Sequence, residues 1–457
     1  RNGTFTLVND IVCRLQLENK KATCADFDND GFIDIYVANW YGADNLLYRN
    51  DTGNAYMRID TGTLPHDGGY SETAAWGDMD SDGLLDLYVA NSDGNFLNFL
   101  YRNLGGGAFA KVTGIVPVTD AFRSRCVNWI DMDSDGDQDL FVANEAGQRN
   151  QLYRNDGYPN FTKITTGALV TSQFSTHSSS WADYDNDGDF DVLIANFNQA
   201  GQLFQNDGAG NFAPVSSPFG TDVGCSFSSS FADYDNDADL DIFVTNGFCT
   251  NYARNFLYEN DGSGNFVRNM TEPMAIDSGS SYGCAWGDYD NDGFVDLAVA
   301  NWRNEAQPNS LYHNGGNGNH WLELRLRGTI SNRSAIGAVV QCTAMINGHV
   351  TVQMREVTAQ SGYCSQNSLV VHFGLADATQ IDNLHVTWPS GIEQVFGNVA
   401  VDALYALSES GNIVVVGNEA PTSPAIGLNL FPNPNDGNFA LEVESPHAMA
   451  IQIQLLN

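Results

Sequence analysis

Residues 25–39 read ADFDNDGFIDIYVAN, four aspartates within nine positions running directly into an apolar, β-rich segment. Charge at that density opposes burial unless something gathers the carboxylates, so the stretch asks for a counter-ion and a strand at once.

The stretch recurs five times, as DMDSDGLLDLYVAN from Asp78, DMDSDGDQDLFVAN from Asp131, DYDNDGDFDVLIAN from Asp183, DYDNDADLDIFVTN from Asp233 and DYDNDGFVDLAVAN from Asp288. The leading aspartates 26, 78, 131, 183, 233 and 288 keep a period of roughly 50 residues, which marks a repeat architecture. Each unit carries a second landmark, NLLYRND, NFLYRNL, NQLYRND, GQLFQND, NFLYEND or NSLYHNG, generally followed by a Gly-rich turn and an aromatic residue. Every unit therefore reads as four short strands; in the fourth these are SSSWAD, DVLIAN, GQLFQN and NFAPVS, separated by Asn, Asp and Gly turns.

The expected fold is all-β: a β-propeller of four-stranded blades, six visible and six or seven in total, with a C-terminal β-sandwich-like module. The last unit shows three strands, and GTFTLV at residues 3–8 reads as an orphan fourth. Pairing of the two closes six blades; sequence upstream would instead supply a seventh.

In D-x-D-x-D-G-x-x-D the side chains stand at loop positions 1, 3, 5 and 9, with position 7 able to add a carbonyl or a further carboxylate. The candidate ligands are Asp26, Asp28, Asp30, Phe32 (carbonyl) and Asp34; Asp78, Asp80, Asp82, Leu84 (carbonyl) and Asp86; Asp131, Asp133, Asp135, Asp137 and Asp139. The remaining three sets are Asp183, Asp185, Asp187, Asp189 and Asp191; Asp233, Asp235, Asp237, Asp239 and Asp241; Asp288, Asp290, Asp292, Phe294 (carbonyl) and Asp296. Oxygen ligands on a turning loop suit a hard cation, Ca²⁺ before Mg²⁺, and no His or Cys lies in the loops to favour zinc or copper. About six Ca²⁺ ions are expected, tying the strands of each blade together rather than forming one reaction centre. Gly occupies the sharp turn in five loops and Ala238 in the fifth, which makes the fifth site the weakest expected binder. The EF-hand glutamate is missing: its place in the first copy is Val37.

These residues resemble the FG-GAP or VCBS repeats of integrin-α-like propellers over about residues 1–317, through WGDYDNDGFVDLAVAN, LYEND and GSGNF. The resemblance implies calcium loops between the first two strands of each blade, on one face of the ring, with recognition on the loops of the other. Residues 318–410 resemble the ASPIC/UnbV domain in NHWLELRL, SNRSAIGA, SQNSLVVHFGL and VTWPSG; alternation of Leu322, Leu324 and Leu326 with Glu323, Arg325 and Arg327 marks a half-buried strand there. Residues 411–425 read as a linker, and 426–457 resemble the start of a type IX secretion sorting domain in Leu430–Pro434 and Gly437–Phe439.

The charge of −36, from 20 basic and 56 acidic residues, argues against nucleic acid and anionic membrane partners. No apolar run is long enough for a membrane helix. Eight cysteines without a CxxC pair point to disulfides in an oxidising compartment, Cys342–Cys364 being the expected pair, or to buried thiols.

Signals for catalysis are few. GSSYG around Ser281 matches G-x-S-x-G, but in repeat register it enters a propeller strand with no helix after it. His177 reads as a strand-packing residue and His313 as a variable exposed position. The expected function is a secreted or cell-surface binding or adhesion module for an extracellular protein or carbohydrate ligand; a polysaccharide lyase or hydrolase and a self-associating surface or filament subunit are the alternatives.

Overall fold

The structure, a computed structural model, describes residues 19–51, 56–248, 254–302 and 308–417, together with the paired strands Gly427–Phe431 and Ala440–Glu444. Arg1–Val416 form one compact unit and Gly417–Asn457 another. The proposed strand at residues 3–8 and most of the tail motif lie outside the described residues.

The period of the aspartate loops is the period of the blades. The first blade is built from Asn19–Ala25, Asp34–Asn39, Leu46–Asn50 and Tyr56–Ile59; the second from Ser71–Gly77, Asp86–Asn91, Phe99–Asn103 and Phe109–Lys111. The inner strands that follow are Ser124–Ile130, Thr176–Ala182, Val223–Ala232 and Ser281–Gly287, each antiparallel to the strand after its loop. Blades three to five are likewise four-stranded, and the sixth shows three strands among the described residues.

Aromatic packing sets the blades against one another. Trp76, Trp129, Trp181 and Trp286 on the inner strands each meet an aromatic of the preceding blade edge-on, Tyr36, Tyr88, Phe141 and Phe243, at centroid distances of 6.3, 6.3, 5.5 and 6.0 Å. The Asn that closes the LYRN landmark adds a staple: the Nδ2 of Asn103, Asn155, Asn206, Asn260 and Asn314 donates to the backbone oxygen of Phe27, Met79, Met132, Tyr184 and Tyr234 in the blade before. Inner strands of successive blades pack side by side from first to sixth, and between the sixth blade and the first lies a cavity of about 720 Å³, lined by Ile33, Ala298, Leu311 and Arg325.

The C-terminal module is two four-stranded sheets. One orders Val371–Ala376, His320–Arg327, Ala403–Ser408 and Val414–Gly417, the other His349–Glu356, Val339–Ile346, Ile381–Thr387 and Glu393–Val399. Leu322, Leu324 and Leu326 face its core as expected. Two readings are corrected. Val414–Gly417, placed in the linker, adds an edge strand, as a run of β-branched residues favours. The Cys342–Cys364 bridge is not formed: Cys342 keeps a free thiol inside the sandwich opposite Leu384, whereas residue 364 sits on a segment that leaves the module. Cys225 is disulfide-bonded.

That segment, residues 359–368, fills the axis of the ring. Thr23 donates to the Ala359 carbonyl, Asn128 to that of Gln360 and Ser180 to that of Ser361; the Tyr363 hydroxyl donates to Glu72, Ser228 pairs with Ser365, and the Trp286 amide donates to Asn367. All six inner strands hold the same ten residues. Gly362 is the point of closest approach, where a Cβ would lie 2.4 Å from the Ser229 carbonyl oxygen.

Candidate functional site

The aspartate loops share one geometry. Oδ1 of the first aspartate accepts the amide of the third in every loop, at 3.0 to 3.2 Å (Asp26 from Asp30, Asp78 from Asp82, Asp131 from Asp135, Asp183 from Asp187, Asp233 from Asp237, Asp288 from Asp292). The fourth position of each loop is left-handed, and so is the sixth, where Ala238 holds φ +82 against +83 to +101 for the glycines. The ninth-position aspartate has a second task that the sequence does not announce. Oδ1 of Asp34, Asp86, Asp139, Asp191, Asp241 and Asp296 accepts the amide of the strand-three Asn, at 2.7 to 2.9 Å, pinning strand two to strand three.

The donor set fits a hard cation. Acidic oxygens of Asp26, Asp28 and Asp34, of Asp78, Asp80 and Asp82, of Asp131, Asp133 and Asp139, and of Asp183, Asp185 and Asp187 lie within 4.8 Å of one another. In five loops the same buried oxygen, Oδ1 of Asp80, Asp133, Asp185, Asp235 and Asp290, has no hydrogen-bond partner among the described residues. Burial pushes the acids of Asp34 and Asp86 up to about 8 and those of Asp139 and Asp191 up to about 9, against the pull of the amides they accept. Such groups stay charged at neutral pH only beside a cation. At position seven, Asp137 Oδ1 and Asp189 Oδ1 are also buried without a partner among the described residues, while the Phe32, Leu84, Phe294 and Asp239 amides donate to Oδ1 of the aspartate two residues before.

In blades two, four and six the residue after the strand-three tyrosine or phenylalanine reaches back to its loop. Arg102 contacts Asp80 and Asp82, Gln205 donates to Asp185 at 2.7 Å, and His313 lies 3.1 Å from Asp296 and 3.8 Å from Asp290. His313 is half-exposed, but it faces the sixth loop instead of standing apart from it.

The module covers this loop face. The Arg333 amide donates to Asn29 at 2.7 Å, the Ala376 amide to the Asn236 carbonyl at 2.8 Å, and the Asp26 amide to the Ser334 hydroxyl at 2.9 Å. Gly83 and Gly293 lie so close that a Cβ would meet the Ile330 carbonyl oxygen at 2.4 Å and the Trp321 indole at 1.8 Å. Glu323, expected toward solvent, is buried because its strand face lies against the ring; burial and then repulsion from Asp288 push its acid up to about 8.

The opposite mouth of the ring is built differently. Each inner strand carries a register shift at one position, between Asn19 and Lys21, Ser71 and Thr73, Ser124 and Cys126, Thr176 and Ser178, Ser226 and Ser229, and Ser281 and Gly283. The extra residues are Glu72, Arg125, His177, Phe227 (with Ser228) and Tyr282 in blades two to six, a run of unlike side chains inside an otherwise uniform repeat. Bulges re-aim side chains, and these converge at the mouth. The flanking Ser or Thr hydroxyl is spent on the blade itself: Ser71, Ser124, Thr176, Ser226 and Ser281 donate to Asn91, Asn144, Asn196, Asn246 and Asn301 at 2.8 to 3.0 Å. Ser281 is thus a strand residue that holds Asn301, with no elbow around it.

Across the mouth, Arg125 bridges Glu72 at 2.8 Å and Glu145 at 2.9 Å, and His177 Nε2 lies 3.5 Å from Glu145. Burial lowers the His177 pKa despite Glu145. Burial alone would raise Glu145, but His177 and Arg125 hold it down to about 2. An aromatic arc continues from the charged half: His177 stacks on Phe197, Phe227 on Tyr282 at 4.6 Å, and Phe248 packs beside Tyr282 and Trp302. Phe248 and Trp302 are exposed.

Two family models match. The FG-GAP-like repeat model covers residues 26–89, 78–142, 131–194, 183–244 and 248–299, and the ASPIC and UnbV model covers 328–414. Among curated proteins the chain is 26% identical to cartilage acidic protein 1 of Xenopus tropicalis over 399 residues, 82% of this chain and 52% of that protein. It is 26% identical to the Homo sapiens protein over 414 residues, 85% and 53% respectively. The chain spans about half the length of the curated relatives it matches. Among solved structures, an Agrocybe aegerita lectin aligns with a TM-score of 0.45 and 18% identity over 65% of this chain and 81% of that one. The BP39L lectin of Burkholderia pseudomallei aligns with a TM-score of 0.43 and 11% identity over 88% and 100%.

Proposed function

The chain belongs to the FG-GAP-like repeat family, and we propose that it is an extracellular binding module: a propeller stabilised by Ca²⁺ in its aspartate loops, with its ligand face at the mouth lined by the bulged residues. The observation that carries this reading is the bulge register. In blades two to six the inner strands repeat Ser or Thr before the bulge and small residues after it, yet place Glu, Arg, His, Phe and Tyr at the bulge, all converging on one surface.

The metal loops support a structural role for the ion, because they recur in every blade and lie under the C-terminal module. Asp26, Asp28, Asp30 and Asp34 and their counterparts would hold it, and the charge it supplies would let the loops close. The disulfide at Cys225 supports an oxidising compartment. Residues 359–368 fill the axial channel, which leaves the mouth as the place where a glycan would be bound or cleaved.

The test is a binding screen of the calcium-loaded protein on arrays of extracellular proteins and of neutral and acidic glycans, repeated with Phe248→Ala/Trp302→Ala. The reading expects ligands that the double variant loses while its melting temperature holds. Ultraviolet-absorbing unsaturated products from an acidic polysaccharide would replace it with a lyase, and order-dependent assemblies lost in EDTA would favour a filament subunit.

A further inference from the structure

We propose that the fifth aspartate loop is an occluded calcium site: strand Val371–Ala376 of the C-terminal module closes over it, so that its ion enters and leaves only when that strand lifts. The inference rests on the aspartate loops holding Ca²⁺ and adds which ion is trapped, and by what.

The six loops share a sequence pattern and differ in cover. In five of them the third aspartate is exposed, as Asp30, Asp82, Asp135, Asp187 and Asp292 are; Asp237 in the fifth is not, and no residue from Asp233 to Asp241 is exposed. Asp233 and Asn236 are buried, and so is Asp241, 4% exposed, whose Oδ2 has no hydrogen-bond partner among the described residues. A carboxylate oxygen so placed requires a cation that reaches it from inside the loop.

The cover touches the ligands themselves. The Ala376 amide donates to the Asn236 carbonyl at 2.8 Å, and Gly374 passes so close that a Cβ there would lie 2.1 Å from Asp233 Oδ2 and 2.4 Å from the Asn236 Cα. Gln353 Nε2 donates to the Gly374 carbonyl at 2.8 Å and fixes the strand at that point. The alanine at position six belongs to the same contact. Ala238, 3% exposed, is part of the core that holds Phe373 and Leu375, so the module packs on a methyl that glycine would not supply. The strained turn bears on how tightly the ion is held, and the cover on how fast it moves.

The charged groups acting on the loop are Arg355 of the module, near Asp233 and Asp239, with Glu259 near Asp235 and Asp261 near Asp239 from the same blade. One guanidinium does not balance the five aspartates of the loop, so a divalent ion is still needed under the cover. An ion held by oxygen ligands leaves as water replaces them, and water reaches this loop only through a local opening of the module strand.

The test loads the full chain with calcium, mixes it with a fluorescent chelator and follows release. The expected trace has a fast phase and a slow phase of one ion, slower by about tenfold or more. Asp237→Asn should remove the slow phase. Gly374→Ala, whose methyl would run into Asp233, should merge it with the fast phase and speed deuterium exchange along Val371–Ala376; Gln353→Ala should do so in part even if Gly374→Ala fails to fold. Glu393→Gln on the module surface should change nothing. Release of all ions in a single phase, or a slow phase that neither variant quickens, overturns occlusion and leaves the calcium reading standing; no calcium release at all removes both. A stoichiometry one ion short that Arg355→Gln restores means that the guanidinium occupies the fifth loop, which also overturns the proposal.

Discussion

Tyr363 donates its hydroxyl to Glu72 at 2.7 Å, joining the axial segment of the C-terminal module to the inner strand of the second blade across 291 residues of chain. Tyr363→Phe keeps the ring and deletes this bond, leaving a fully buried carboxylate one donor short. A loss of about 1–3 kcal/mol is expected. Calorimetry should show propeller and module melting lower together; a shift confined to the module would mean that the axis carries no coupling between them.

Gly83 and Gly136 occupy the same loop position, at φ +83 and +95. Alanine at either costs the left-handed penalty of about 1–2 kcal/mol. Only at Gly83 does the new Cβ also meet the Ile330 carbonyl oxygen of the module; at Gly136 nothing lies within 4 Å. Gly83→Ala should therefore melt lower than Gly136→Ala and release the module to protease first, and equal melting would argue that the module does not lean on the second loop.

The fifth loop keeps the left-handed turn with Ala238, so closing around an ion there carries a strain of about 1 kcal/mol that its neighbours avoid. Calcium titration should find one site weaker than the rest, and Ala238→Gly should bring it to the level of the others. A site in that loop as tight as its neighbours in the unaltered protein would contradict this.

Glu409 governs acid stability in the module. Burial would raise its acid, but the Ser390 hydroxyl, the Ile330 and Thr329 amides and the Ser331 hydroxyl hold it down to about 2, from 4.5. A folded-state value below the ordinary one gives stability that is complete above about 4.5 and is lost as pH falls toward about 2. Urea midpoints should drop through that window, and Glu409→Gln should be less stable at pH 7 with a flatter acid limb.

The repeat, the blade strands and the loops could be read from the chain because Asp, Gly and the LYRN landmark recur in register. Their second tasks could not. Asp34 and Asn103 look like a ligand and a turn residue, and only the folded blade shows the first pinning strand three and the second stapling the neighbouring blade. The mouth left a signal that goes unread without pairing: Glu72, Arg125, His177, Phe227 and Tyr282 stand one after a Ser or Thr in copies two to six, but a bulge is invisible until the partner strand fixes the register. The axial filling by residues 359–368 left none: residues 365–368 read only as the start of the landmark SQNSLVVHFGL, and the partners of the segment lie up to 343 positions away.

The same axial segment sets the order in which the molecule can be finished. A ribosome releases the six blades before residues 359–368 exist, and each blade can form from contacts within its own stretch of about 50 residues. Thr23, Glu72, Asn128, Ser180, Ser228 and Trp286 must then wait with unmet polar groups around an empty bore until the two-sheet module arrives. Newly made chains should pass through a hollow propeller that binds hydrophobic dyes and chaperones, and the closing step should be slow, because it makes contacts as far apart as Thr23 and Gln366 last.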